Sequence, residues 1–153
     1  MLPNGGRTGK EVEAVASSES TVSWWRAVAV WLALMAAESV HGFLRVLFLE
    51  PLVGEFRARQ IAVFTGALIL VCITTLCIPW LRARSMQSLL LIGCLWVVLT
   101  VVFEMVLGRV VFHLSWQRIA AEYNLARGGL MPIGLVILAF APVIAARMRA
   151  RRG

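Results

Sequence analysis

The chain has 153 residues, of which 60% are hydrophobic and 15% are charged. Soluble domains average about 45–50% apolar residues, so this composition excludes an ordinary water-soluble fold, and the length allows one domain. The formal net charge of +7 does not indicate nucleic acid as a partner. The basic residues flank apolar segments, as topology determinants and contacts with anionic lipids do.

Apolar residues are concentrated in four blocks. Each block has the roughly 20 residues that a helix needs to cross a hydrocarbon core of ~30 Å. We therefore predict an all-α polytopic membrane protein with four transmembrane helices. The predicted spans are about 24–49, 60–80, 88–108 and 128–146, within a membrane domain of residues 24–147.

The two ends of the chain are polar. Residues 1–23 carry charges of both signs, which predicts a disordered cytoplasmic tail. The apolar run after it is too long for a signal peptide and lacks a small-residue cleavage site, so we interpret it as a retained first span. Residues 148–153 are predicted to form a basic cytoplasmic tail.

Lys and Arg are distributed unequally between the two predicted sides of the membrane. Nine lie in or beside the N-terminal tail, the second loop and the C-terminal tail, and five lie on the opposite side. Cytoplasmic loops carry the excess of basic residues, so both termini are predicted in the cytoplasm. Trp24, Trp25 and Trp80 at the inner boundary and Trp116 at the outer one fit an aromatic belt.

Charged residues interrupt the first and third spans at matching depths. At ~1.5 Å per residue, Glu38 lies about 21 Å along the first span and Glu104 about 24 Å along the third. Arg45 and Arg109 each lie about 31 Å along, at the outer interface. Both glutamates are therefore predicted inside the membrane, at one level in its outer half.

The two halves of the membrane domain show an internal repeat. The first and third spans contain "ESVHG" and "EMVLG", both Glu-x-Val-x-Gly, 66 residues apart. The second and fourth spans open with "ARQIAVFTGALIL" and "ARGGLMPIGLVIL", which align without a gap 68 residues apart. We predict two tandem helical hairpins related by a pseudo-two-fold axis along the membrane normal, an arrangement found among transporters.

Such an axis would bring the intramembrane charges together near the outer face. Two alternatives follow. Glu38 with Arg127 and Glu104 with Arg59 would be ion pairs that only tie helices together, or the charges would form a functional site facing the bundle interior. The predicted polar intramembrane site consists of Glu38, His41, Arg45, Arg59, Glu104, Arg109 and Arg127.

His41 breaks the symmetry of the repeat, because Leu107 occupies its equivalent position. An imidazole relays protons near physiological pH or binds metal, and Glu38-x-x-His41 has the spacing used in di-iron carboxylate bundles. Those bundles need a second such motif and two further carboxylates, and this chain has one motif. A histidine hydrogen-bonded inside the bundle is favoured over a metal site, and no metal or other cofactor is expected.

Two segments outside the spans show patterns of their own. In the third loop, apolar side chains recur on one helical face, which predicts a short interfacial helix with Arg118 and Glu122 paired on another face. That helix would pack on the lipid surface or form a lid over the charged layer. The segment "EPLVGEFRARQ" is predicted to be a compact turn between the first two spans.

The sequence resembles a family of uncharacterised four-span bacterial inner-membrane proteins of about this length. In that family a Glu-x-x-His-Gly segment occurs together with an Ala-Arg-Gln turn and an Arg-Gly-Gly turn. The matching residues here are 38–42, 58–60 and 127–129. The resemblance covers most of the chain beyond the tail and implies a bacterial inner-membrane location, but no activity.

Three function classes remain open from the sequence. The first is a polar site that conducts or transports a proton, an ion or a small polar solute. The second is a structural or assembly subunit of a membrane complex, and the third is a membrane-embedded, metal-dependent enzyme using Glu38 and His41. No nucleophile motif, phosphate loop or zinc signature appears, which disfavours an enzyme. Membrane lipids and a second copy of the chain or a membrane-complex subunit are the expected partners.

Overall fold

The structure, a computed structural model, describes residues 22–83 and 85–151, except for the side chain of Arg127. The predicted disordered tail, residues 1–23, lies outside this range but for its last two residues. The described residues contain four helices long and apolar enough to cross a membrane. The predicted four-span all-α membrane fold is therefore confirmed.

The long helices are α1, α2, α3 and α5, and a short helix, α4, lies between the last two. α1 and α3 each continue into a π-helical turn, at Arg45–Leu49 and Leu107–Val111, and α1 ends with a further turn, Glu50–Val53. The bounds are α1 Trp24–Leu44, α2 Glu55–Leu81, α3 Met86–Val106, α4 Trp116–Glu122 and α5 Met131–Ala150.

The break between the first two spans is shorter than predicted. Helical structure extends through Val53 and resumes at Glu55, so the predicted turn "EPLVGEFRARQ" is helical except at Gly54. Gly54 has a φ of 82°, a conformation that glycine adopts without the steric cost other residues incur. One glycine is thus enough to reverse the chain.

The last span begins later than the predicted residue 128. Leu125–Arg127 form a 3₁₀ turn, Gly128 is left-handed with a φ of 82°, and α5 starts at Met131. Pro132 lies in its first turn, where the missing backbone N–H costs no helical hydrogen bond. At the other end α5 runs to Ala150, into the predicted basic tail.

The four spans pack as a ring. α1 packs against α2 and α3, and α5 packs against the same two helices. The order around the ring is therefore α1, α2, α5, α3, with the consecutive helices α2 and α3 at opposite corners. Its fully buried side chains include Leu34, Ile92 and Trp96.

Two tryptophans fix the level of α1 against α3. The indole N–H of Trp31 donates to Thr100 Oγ1 at 3.0 Å, and that of Trp96 donates to the Ala27 carbonyl at 2.8 Å. Both bonds join residues that are 69 positions apart. Because the two helices run parallel in this register, Glu104 lies within about one helical turn of Glu38 along the bundle, close to the shared level that the sequence predicts.

The ring order bears on the predicted symmetry axis. The equivalent helices of the repeat are neighbours, α1 beside α3 and α2 beside α5. A two-fold axis through the ring along the membrane normal would exchange helices at opposite corners instead. The ring order therefore lends the pseudo-two-fold axis no support.

Candidate functional site

A cavity of about 360 Å³ lies between the four spans and holds part of the predicted site. Apolar residues form most of its wall, and its charged or titratable described side chains are those of Glu38, His41 and Glu104. Its polar lining is completed by Ser39 and Thr100. This combination of an apolar wall and a few convergent polar groups is typical of a binding site.

Glu38 and His41 contact each other on one face of α1. His41 Nδ1 lies 3.5 Å from Glu38 Oε2, and the two side chains are 19% and 28% exposed. His41 Nε2 lies 2.8 Å from Thr65 Oγ1 on α2. The favoured sequence interpretation, a histidine hydrogen-bonded inside the bundle, matches this geometry.

Gly66 on α2 makes room for the Glu38 carboxylate. A Cβ at this position would lie 2.9 Å from Glu38 Oε2 and 3.4 Å from His41 Cε1. Its counterpart in the predicted repeat, Gly134 on α5, also lines the cavity, and a Cβ there would meet nothing within 4 Å. The two glycines therefore differ in what they accommodate.

The walls contributed by α2 and α5 match residue by residue. Every α2 residue that lines the cavity has a lining residue 68 positions later, the offset of the predicted repeat. The sequence repeat itself remains a prediction, but its alignment places equivalent residues around one space. The pairs are Ala62 and Leu130, Val63 and Met131, Gly66 and Gly134, Ala67 and Leu135, and Leu70 and Leu138.

A second cavity, of about 540 Å³, adjoins the first at the end of the spans that the predicted topology places outside. Arg45, Arg59, Glu122 and Tyr123 line it, and Glu104 lines both cavities. Glu104 therefore lies at the junction between an outer vestibule, defined as this second cavity, and the intramembrane cavity.

Arg59 does not form the predicted tie with Glu104. Its guanidinium lies 2.9 Å from Glu55 Oε1 within α2 and 3.6 Å from Glu122 Oε2 on α4. The carboxylates next to Arg59 come from its own helix one turn earlier and from the third loop. Arg45 likewise has a local partner, since its Nη1 is 3.5 Å from Glu50 Oε2.

Arg109 lies apart from the cavities. Its Nη1 donates to the Leu114 carbonyl at 2.6 Å, and its guanidinium stacks 5.1 Å from the centre of the Trp116 ring. It thus organises the start of the third loop. The Arg127 side chain is outside the described part of the structure, so its predicted pairing with Glu38 stays a prediction.

The predicted helix in the third loop is present as α4. Its Ile119 is buried and packs toward Gly108 of α3, where a Cβ would lie 3.2 Å from Ile119 Cδ1. The predicted pairing of Glu122 with Arg118 is not formed, because Glu122 reaches Arg59. α4 therefore lines the outer vestibule with Ile119 and Glu122.

Four residues of this region are not part of the site predicted from the sequence: Thr65, Gly66, Glu122 and Tyr123. Thr65 and Gly66 are common residue types in transmembrane helices. The sequence identifies Gly66 only as part of the predicted repeat. For Glu122, helical spacing is the only guide to a partner within the loop, and it predicts Arg118. The one sequence signal near Thr65 is the adjacent Gly66, because a glycine in a transmembrane helix indicates close packing of another helix at that position.

Within the described ranges, no group of three or more His, Cys, Asp or Glu side chains converges as a metal site would require. Comparison with known proteins gives no further guide: no protein-family model, no curated protein and no solved structure matches the chain. The residues around the two cavities are therefore the guide to function.

Proposed function

We propose that this multi-pass membrane protein moves protons, alone or together with an ion or small polar solute, through a polar site in the outer half of the bilayer. The observation that carries the proposal is the convergence of Glu38, His41 and Glu104 on one cavity between all four spans. Ionisable residues inside a membrane are costly, and those that face a bundle interior commonly mark proton or substrate pathways.

The connection to the outer vestibule supports this proposal. Glu104 borders both cavities, so a solute in the vestibule has access to a carboxylate that also lines the intramembrane cavity. Glu38 and His41 line that intramembrane cavity as well. Charged and titratable groups are thus concentrated around the region where the two cavities meet.

A structural or assembly role is the competing function, and the Arg59–Glu122 contact favours it. This ion pair joins α2 to α4, and its side chains are 32% and 45% exposed. It has the character of a tie between elements rather than of a binding site. Under either function we place the protein in the bacterial inner membrane, as a homo-oligomer or a subunit of a membrane complex.

Proton flux into liposomes tests the proposal. Purified protein would be reconstituted with an internal pH-sensitive dye, and a potassium diffusion potential would be imposed. We expect the wild type to take up protons faster than empty liposomes, and Glu38→Gln and Glu104→Gln each to lower that rate at least ten-fold. Glu55→Gln is the control, because Glu55 is exposed and lies outside both cavities.

Two results would reject the proposal. One is a wild-type rate equal to that of empty liposomes. The other is an unchanged rate in both glutamine variants together with a lower melting temperature in detergent, which would favour the structural role.

A further inference from the structure

The two ring nitrogens of His41 face different groups. Nε2 is 2.8 Å from Thr65 Oγ1, and Nδ1 is 3.5 Å from Glu38 Oε2. Thr65 Oγ1 also lies 3.1 Å from the Ile61 carbonyl, one turn earlier in α2. A hydroxyl has one proton to donate. When that proton goes to the Ile61 carbonyl, Oγ1 accepts a hydrogen bond from Nε2–H of His41.

This arrangement determines what lies between His41 and Glu38. With hydrogen on Nε2, a neutral imidazole presents the lone pair of Nδ1 to the carboxylate, and two lone pairs repel each other. One proton between Nδ1 and Oε2 removes the repulsion, as an imidazolium with a carboxylate or as an imidazole with a carboxylic acid. In both forms the pair has no net charge, which is the cheaper state in hydrocarbon.

We propose that Glu38 and His41 form a single proton-binding unit, in which Thr65 is the positioning residue that keeps hydrogen on Nε2 and directs Nδ1 toward the carboxylate. The proton moves between Nδ1 and Oε2 without changing the charge of the pair. Its release to the cavity leaves one negative charge on Glu38. The use of this proton rests on the proposed function, whereas its position does not.

The predicted repeat isolates the residues that make this unit. The second half has Leu107 at the position of His41 and Ile133 at that of Thr65, so both polar partners are replaced by aliphatic residues. Glu104 is exposed and has no ion pair or hydrogen bond to any other described side chain. Glu38 is thus the carboxylate that shares a proton with a neighbouring side chain, His41. Glu104 is the carboxylate that is accessible to solutes in both cavities.

Few other charges act on the unit. On α1 the next charged residue, Arg45, contacts Glu50. From α3 Glu104 faces the same cavity, whereas the lining residues that α2 and α5 contribute are uncharged. Arg127, just before α5, has a side chain outside the described part of the structure. The state of His41 therefore depends chiefly on its contacts with Glu38 and Thr65.

Solid-state ¹⁵N NMR of the full chain, labelled at histidine and reconstituted in lipid bilayers, tests the inference. The chain has two histidines, His41 and His113, and His113 lies outside the spans as an internal reference. At neutral pH we expect His41 to carry hydrogen on Nε2 and a hydrogen-bonded proton at Nδ1. Thr65→Val should mix the two tautomers, and Thr65→Ser, which retains the hydroxyl, should restore the wild-type spectrum.

The glycine pair supplies a second measurement at the carboxylate. Gly66→Ala places a Cβ against Glu38 Oε2, so it should shift the Nδ1 signal and leave Nε2 protonated. Gly134→Ala meets no atom within 4 Å and should leave both signals unchanged. A His41 spectrum with hydrogen on Nδ1 and a bare Nε2 would overturn the inference, as would a Thr65→Val spectrum identical to the wild type.

The flux assay and the spectrum separate this inference from the proposed function. Reconstituted protein without proton flux, but with the expected His41 spectrum, would reject transport and retain the proton-binding unit. Glutamate-dependent flux would support transport on its own. If the His41 spectrum did not change in Thr65→Val and Gly66→Ala, the proton-binding unit would be rejected while transport was retained.

Discussion

Tyr123 is the one tyrosine of the chain, and it lies near Glu104 at the outer vestibule. Its hydroxyl oxygen is buried and has no hydrogen-bond partner among the described residues. Burial raises the pKa of Tyr123 above its ordinary value of 10.0, and the charge of Glu104 raises it further. Both effects disfavour the tyrosinate, because a charged form loses hydration and is repelled by a carboxylate.

We expect Tyr123 to ionise above pH 10 in the folded protein, and Glu104→Gln to lower its midpoint part of the way toward 10. The shift is partial because burial is the larger cause. Tyrosinate absorbance measures the midpoint, and Glu55→Gln is a control that should leave it unchanged. Since the pKa is raised on folding, Tyr123 stabilises the fold below pH 10 and this contribution is lost as the pH rises through the folded pKa. An ionisation midpoint of Tyr123 that did not change in Glu104→Gln would contradict the predicted effect of the Glu104 charge.

At the scale of elements, α4 is the short helix that covers the outer vestibule. Its C-terminal end approaches Gly129 so closely that a Cβ there would clash with the Glu122 carbonyl oxygen. Buried Ile119 packs toward α3, and the Glu122 side chain reaches Arg59 on α2. α4 is thus held by backbone packing, one apolar side chain and one ion pair.

Glu122→Gln should loosen α4, whereas Glu55→Gln should not. Both variants remove one carboxylate from Arg59, but only Glu122 links Arg59 to another element. Exposed ion pairs contribute up to about 1 kcal/mol, so we expect amide hydrogen exchange in α4 to accelerate by up to about five-fold in Glu122→Gln. Equal exchange rates in the two variants would show that the ion pair does not hold α4.

At the scale of the whole molecule, the ends of the spans differ in their chemistry. At one end Arg26 donates to the Trp80 carbonyl at 2.9 Å and stacks on the Trp25 and Trp80 rings. At the other end lie α4, the outer vestibule and the Arg59 ion pairs. The tryptophan end has the composition of a membrane interface near basic loops.

We predict that this tryptophan end faces the cytoplasm, together with both termini. Fusions of the C-terminus to a reporter active only in the cytoplasm and to one active only outside it would measure the orientation. Activity of the cytoplasmic reporter alone is expected, because the basic residues are concentrated at that end. Activity of the external reporter would invert the topology and place the polar site in the inner leaflet.

Much of the fold could be predicted from the sequence because hydrophobic length is a local property. Four apolar blocks gave four spans, and Ser115 and Trp116 begin the predicted loop helix. The helix bounds differ from the predicted ones at two glycines, where the backbone conformation determines the end or the start of a helix. Gly54 reverses the chain in one residue, and Gly128 delays the start of α5.

The partners of the charged residues were harder to predict, because an ion pair depends on which helices are neighbours. Sequence spacing paired Glu122 with Arg118, and charge balance paired Arg59 with Glu104. In the structure Arg59 contacts Glu55 and Glu122. Glu55 is available to Arg59 because it lies one helical turn away on the same helix, whereas Glu122 is brought to Arg59 by the packing of α4.

By itself the sequence determined that the chain spans a membrane and that it does so four times, since both depend on composition and on hydrophobic length. It also predicted that Glu38 and Glu104 lie at similar depths, since depth follows from the rise of a helix. Only the tertiary structure decided that His41 lies between Glu38 and Thr65, and that Gly66 leaves space for the carboxylate. These contacts join α1 to α2, and the rotation of each helix about its axis is set by packing against its neighbours.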